Sequence, residues 1–377
     1  MSPRIPCLLT LLPLLASGAG AGAVRQAHGA LSLPKGAVKV ATLAHRGFKD
    51  CIEVVAGKTR LVVVPAWAGR ISVLDFGWGN VLWSDPKLDG KVVPPNQEWA
   101  LWDGNATDIV RSDGKRQWKG LWIHPWPKVE PLDDGVRISS PEKTEANLSA
   151  RRTYRLTPDG RTLGYNFLIS DEGGPPAGWT IWERALVPAG GYLIAPVAKG
   201  GAFPNGCAVR DAGVVDPPDR AAAVGDFLVM RAGTRKGVGL AARLRAGWIG
   251  SVRDGHALLV TFPIAKEGKT SPAVGPGDRP KIVHPTPQPE IRYAQCGGAH
   301  AAFWVAPDQL EFEPLSWEIA GGPGSSYFGQ VWHGLDLPAE INRDDPAAVG
   351  QWLDKEAAAR AKWLDVFPER LYLIEYW

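Results

Sequence analysis

The residues of this 377-residue chain with the greatest chemical capacity are a few glutamates and many tryptophans. Glu311 and Glu313 lie two apart in the stretch LEFEPL. In a strand they share one face, while Leu310 and Phe312 turn to the other. Glu183, in WTIWERALV, alternates with Trp182 and Arg184. If Glu183 faces the same cleft as Glu311 or Glu313, the two carboxyl groups can divide the roles of acid and base at an anomeric or glycosidic centre. The plainer expectation for each is structural, as a solvent-facing carboxylate or as the partner of an arginine.

The second cluster is GLWIHPWPKVEP, residues 120 to 131, where His124 stands between Trp122 and Trp126. A histidine between two indoles can have its pKa moved across neutrality and serve as an acid. Its alternative is a hydrogen bond to a loop carbonyl. Six of the 17 tryptophans, Trp83, Trp99, Trp102, Trp118, Trp122 and Trp126, fall between residues 80 and 130. An indole offers a flat apolar face and a donor at its edge, which suits a sugar ring. Trp102, Trp122 and Trp126 are therefore candidate substrate-binding residues, with the proline-stiffened loop placing the last two at the mouth of a cleft. Trp83, Trp182, Trp304 and Trp332 are expected to pack in the core. His45, His284, His300 and His333 have no ligand-like spacing, so neither a metal site nor a cofactor is expected.

The elements that must position these groups read as strands. Runs such as CIEVVAGKTRLVVVP, RISVLDFG, GDFLVMRAG, HALLVTFPI and AAFWVAP are separated by clusters of Gly, Pro, Asp and Asn. In LTPDGRTL, Pro158, Asp159 and Gly160 supply a tight turn between two alternating runs. Helical periodicity is nearly absent before residue 346, so the fold class is all-β and antiparallel. The tail differs. Asp344, Asp345 and Pro346 suit a helix start, and Val349, Trp352, Leu353, Ala359, Trp363 and Leu364 can form one apolar stripe docking on the sheets. The segment 270 to 290 is rich in proline and reads as a surface loop.

The amino terminus carries an early arginine, an apolar run from Cys7 to Leu15 and small residues ending at Ala23, the layout of a secretory signal peptide over residues 1–23. An exported protein, periplasmic or extracellular, is expected. It would comprise one β domain over 24–345 and a docked helix and tail over 346–377. No later run reaches the ~18 apolar residues of a membrane span. Cys51, Cys207 and Cys296 allow at most one bridge. A net charge of +3 with interleaved signs points away from nucleic acid.

The stretch TRLVVVPAWAGRISVLDFGWGNVLWSDP resembles the opening hairpin of the galactose mutarotase-like superfamily, with Ala68 where the x-G-G-R-I turn has its first glycine. That substitution is tolerated if Ala68 keeps a negative φ. RRTYRLTPDGRTLGYNFLISDEG resembles the central meander of the superfamily. WTIWERALVPAGGYLIAPV is similar to a strand of a poorly characterised bacterial branch, and FWVAPDQLEFEPLSWEIAGGPGSSYFGQVW to the closing pair of strands. Together these cover about residues 45 to 335. The resemblance implies a β-supersandwich of two large antiparallel sheets with a carbohydrate, or another polyhydroxylated small molecule, on a concave surface. It implies an aldose 1-epimerase-type isomerase with Glu313 or Glu311 as base and Arg70 lining the sugar. The two histidine phrases of mutarotases, Asn-x-x-His-Gly-Gly and His-x-Tyr-Phe-Asn, are missing, and His124 is the nearest stand-in for the first. A noncatalytic glycan-binding or cell-envelope module and a glycan-cleaving enzyme with paired carboxylates are the alternatives.

Overall fold

The computed structural model describes residues 37–92, 103–111, 116–117, 124–141, 149–171, 179–199, 206–209, 221–233, 237–264, 299–319 and 324–364. Trp102 and Trp122 lie outside these residues, as do the expected signal peptide, Cys296, the segment 270 to 290 and the end of the tail.

Among the described residues the strands form three antiparallel sheets. The first is a meander of Val38–His45, Phe48–Ala56, Thr59–Val64 and Arg70–Asp75. The second has ten strands in the spatial order Ala221–Val224, Phe227–Arg231, Tyr192–Pro196, Trp248–Arg253, His256–Thr261, Gly324–Asp336, Thr162–Asp171, Ser149–Leu156, Gly135–Ser139, Lys128–Leu132. The third has seven, in the order Cys207–Val209, Val238–Ala242, Ala301–Val305, Gln309–Ile319, Trp179–Pro188, Asn105–Arg111, Arg116–Gln117. The two large sheets match the all-β sandwich expected; the separate four-stranded sheet is an addition to it.

Period-two alternation decides which side chains meet. Leu163, Tyr165, Phe167 and Ile169 alternate inward from one strand of the ten-stranded sheet, and Leu310 and Phe312 from one of the seven-stranded sheet. Leu61 and Ile71 of the small sheet join the same cluster. Trp332 and Phe312 face each other with ring centroids 6.0 Å apart. Each such ring taken out of water contributes about 1.5–3 kcal/mol.

The turns behave unequally. At Thr157–Gly160 the amide of Gly160 donates to the Thr157 carbonyl at 2.8 Å, closing the expected turn. Gly160 has φ +69, and a Cβ there would lie 2.0 Å from the Ala56 carbonyl, so only glycine fits. Ala68 departs from expectation, because its φ is +52 and it ends a 3-10 turn in the left-handed region. The tight hairpin demands that conformation from a residue that disfavours it by about 1–2 kcal/mol.

The strand Trp179–Pro188 is irregular against Gln309–Ile319, with a register shift between Thr180 and Trp182. Ser316 Oγ accepts from the Ile181 amide at 2.8 Å there, replacing the lost ladder bond.

The helix Pro346–Arg360 starts where expected, with Asp345 accepting from the Ala347 and Ala348 amides. Val349, Leu353 and Ala357 pack on the outer face of the ten-stranded sheet, against residues such as Ile194 and Leu259. The buried stripe thus runs in steps of four. Ala357 holds the place expected of Ala359, which faces solvent. Among the described residues no helix is long and apolar enough to cross a membrane.

Candidate functional site

Glu311 and Glu313 leave the seven-stranded sheet on the face turned away from the inter-sheet core. Register explains why. Leu186 opposes Glu311 on one ladder and Trp182 opposes Asp108 on the other, and directly opposed residues share a face. The parity that sends Ile181, Ala185 and Val187 into the core therefore sends Trp182 and Arg184 to the face of the acids.

The five side chains Asp108, Trp182, Arg184, Glu311 and Glu313 form one contact set. The Trp182 indole N–H donates to Glu313 Oε2 at 3.0 Å. The Arg184 guanidinium lies 4.2 Å from the centre of the Trp182 ring and pairs with Asp108 Oδ2 at 2.9 Å. Its Nε stands 4.0 Å from Glu311 Oε1. Glu311 is 3% exposed and Glu313 7%.

Burial and crowding of like charge decide the protonation state. Glu311 is held well above the usual carboxylate range, first by burial and then by the charge of Glu313, against the pull of Arg184. It also hydrogen-bonds Glu313. An indole donor at Glu313 favours the ionised form there. The pair thus sets a carboxyl group driven towards its protonated form in hydrogen-bond contact with a second carboxyl group.

The other expected residues lie elsewhere. Glu183 faces the inter-sheet core, where its Oε1 accepts from Thr107 Oγ1 at 2.8 Å and Tyr165 OH at 2.9 Å. It is 2% exposed, and burial pushes its pKa up to about 7. It sits on the opposite side of the sheet from Glu311 and Glu313. Strand parity thus gives Glu183 the structural role that was the plainer expectation and rules out its convergence with either of them across one cleft. Arg70 is fully buried and donates to the Asn105 and Asp103 carbonyls, tying the first hairpin to the strand Asn105–Arg111.

Trp126 is not at a cleft mouth but fully buried, 6.5 Å from Phe167, with the Arg152 guanidinium 5.1 Å from its ring. The Trp126 amide donates to the Pro65 carbonyl at 2.8 Å, which draws this proline-flanked residue inward. His124 is half-buried, with Nε2 lacking a hydrogen-bond partner. Trp332 packs between the sheets as expected, whereas Trp182, though buried, lies on the outer face with the acids, and Trp83 and Trp304 are only partly buried.

Asp108 was not singled out in the sequence. Its signal is the alternation of NATDIV, where Thr107 turns inward to Glu183 and Asp108 turns out to Arg184. Among the described residues no group of His, Cys, Asp or Glu is arranged to hold a metal.

No family model and no curated protein sequence matches the chain. Solved structures do. A candidate aldose 1-epimerase of Klebsiella pneumoniae superposes with a TM-score of 0.52 at 12% identity, covering 84% of this chain and 87% of its own. A protein of Synechocystis sp. superposes with a TM-score of 0.50 at 13% identity, covering 78% of this chain and 99% of its own. At such identities the likeness speaks for architecture, and the architecture is the galactose mutarotase-like sandwich fold.

Proposed function

We propose that the chain binds a carbohydrate on the outer face of the seven-stranded sheet and interconverts its anomers, in the manner of an aldose 1-epimerase. The observation that carries this reading is the Glu311–Glu313 pair, an acid hydrogen-bonded to a base beside Trp182 and Arg184. Glu313 takes the proton from the anomeric hydroxyl while Glu311 gives its proton to the ring oxygen. The C1–O5 bond breaks, leaving the open-chain aldehyde. Rotation about C1–C2 presents the other carbonyl face, O5 attacks C1, and the two protons return. Each carboxyl group ends the cycle as it began.

The noncatalytic module is the second reading, favoured by the near-complete burial of both carboxyl groups. Glycan cleavage has less support. Its two carboxyl groups stand about 5–10 Å apart across the scissile bond, whereas Glu311 and Glu313 touch and Glu183 lies behind the sheet. Polarimetry with a panel of aldoses, run beside saturation-transfer NMR, separates the first two. Accelerated anomer exchange that is lost in Glu313→Gln supports the epimerase, binding without exchange supports the module, and neither result leaves a carbohydrate role standing. We also propose that the protein acts outside the cytoplasm, on the strength of its first 23 residues. Amino-terminal sequencing of the mature protein tests this by looking for a start near Val24.

A further inference from the structure

A cavity of about 640 Å³ opens on the other large sheet, between the last turns of the helix Pro346–Arg360 and the ends of two sheet strands. That size suits a small ligand. Trp352, on the helix, and Trp363, three residues beyond its end, both line it. Both indoles stay partly exposed, Trp352 while also packing against the apolar cluster beneath the helix.

Around the indoles the cavity carries charged groups that already have partners. Arg161 Nη1 lies 2.7 Å from Asp336 Oδ2, and Arg360 is paired with Glu356 one turn below it. Asp159 and Lys362 complete a lining with three acidic and three basic side chains. Such a lining offers many donors and acceptors yet presents no net charge to a ligand. Beneath Thr162 and Gly334 of the lining lies His333, fully buried, with Nδ1 3.1 Å from Thr162 Oγ1 and Nε2 without a hydrogen-bond partner.

We propose that this cavity is a second saccharide site, taking a neutral oligosaccharide, distinct from the acid pair and independent of it. The two indoles supply apolar faces for the C–H sides of successive rings. The paired carboxylates and guanidinium groups accept from and donate to hydroxyls in bidentate fashion. With Asp159, Asp336 and Glu356 matched by Arg161, Arg360 and Lys362, the lining gains nothing from a charge on the glycan. A proline-rich peptide asks for an aromatic-lined groove, and this lining is about half charged.

The test titrates the full-length chain with maltohexaose, cellohexaose and mannohexaose, with an oligogalacturonate and a proline-rich peptide alongside, read by tryptophan fluorescence and saturation-transfer NMR. At least one neutral hexasaccharide should bind. Trp363→Ala should weaken it at least tenfold, Trp363→Phe should restore most of the affinity, and Arg161→Ala should weaken it several-fold. Glu311→Gln and Glu313→Gln should leave this affinity unchanged, which separates failure here from failure of the epimerase reading. The proposal falls if no neutral hexasaccharide binds, if Trp363→Ala and Arg161→Ala bind like the parent, if the oligogalacturonate or the peptide is preferred, or if binding follows the Glu311 and Glu313 variants.

Discussion

The indole N–H of Trp182 points at Glu313 Oε2 from 3.0 Å while the face of the same ring carries the guanidinium of Arg184 at 4.2 Å. One side chain thus holds the base in place and steadies the cation nearest the acid. Trp182→Phe keeps the ring face and removes only the donor. We expect Glu313 to lose part of its preference for the ionised form, so the acid limb of the anomer-exchange profile moves to higher pH. The rate at neutral pH should drop about tenfold, for a donor worth about 1.5–3 kcal/mol to a charged group. Proton NMR of anomer exchange across pH reads both effects; an unmoved acid limb would count against the assignment of Glu313 as base.

Glu313→Gln and Glu311→Gln should each lower the exchange rate by about 10²-fold or more, with sugar affinity nearly kept. Their pH profiles should differ. The parent profile should be bell-shaped, with activity lost at low pH when Glu313 is protonated and at high pH when Glu311 ionises. Since burial and Glu313 hold the Glu311 proton, Glu311→Gln should erase the alkaline limb and spare the acid one.

Glu183 ties folding stability to pH through the core. Its pKa is raised from the ordinary value to about 7 in the folded protein, so the native state binds its proton more tightly than the unfolded chain does. Stability from this group is therefore largest below its unfolded pKa and declines as pH rises through about 7, by about 3 kcal/mol in all. Glutamine still accepts from Thr107 and Tyr165. Urea unfolding at pH 5 and pH 8 should show a marked loss for the parent and a much smaller one for Glu183→Gln.

Ala68 separates two kinds of substitution at one turn. Its φ of +52 suits glycine, so Ala68→Gly should change stability by less than about 1 kcal/mol, strain relief offsetting the lost buried methyl. Ala68→Val brings a β-branched side chain into the same left-handed backbone at a fully buried position. It should cost about 2–3 kcal/mol or more, and thermal or urea melts of the two variants compare them directly.

Legibility in the sequence followed the range of the interaction concerned. Strand alternation, the Thr157–Gly160 turn and the capped helix start depend on neighbours along the chain, and all are present as read. The shared face of Glu311 and Glu313 was readable for the same reason, being a property of one strand. Which way Glu183 faces was not, because Ile181, Glu183 and Ala185 take their side from the sheet packed against them. Trp126 shows the same limit. A tryptophan between two prolines resembles an exposed stacking surface until Phe167 and Arg152, distant in sequence, enclose it. Asp108 acquires meaning only through Arg184 on the adjoining strand.

At the irregularity between Thr180 and Trp182 two steps along this strand match three along Gln309–Ile319, so the extra residue belongs to the partner, while the ladder to Asn105–Arg111 runs unbroken. A residue gained or lost between Leu315 and Glu318 can be absorbed at that bulge, leaving Trp182–Pro188 in step with the rest of the partner. The same change after Trp182 would turn Glu183 out beside Glu311 and Glu313 and bring Arg184 into the Tyr165 pocket, exchanging interior for surface along the whole stretch. Length variation among proteins built on this pair of strands should therefore gather on the partner around Ser316, at the Ile181–Ser316 bond, and be absent after Trp182.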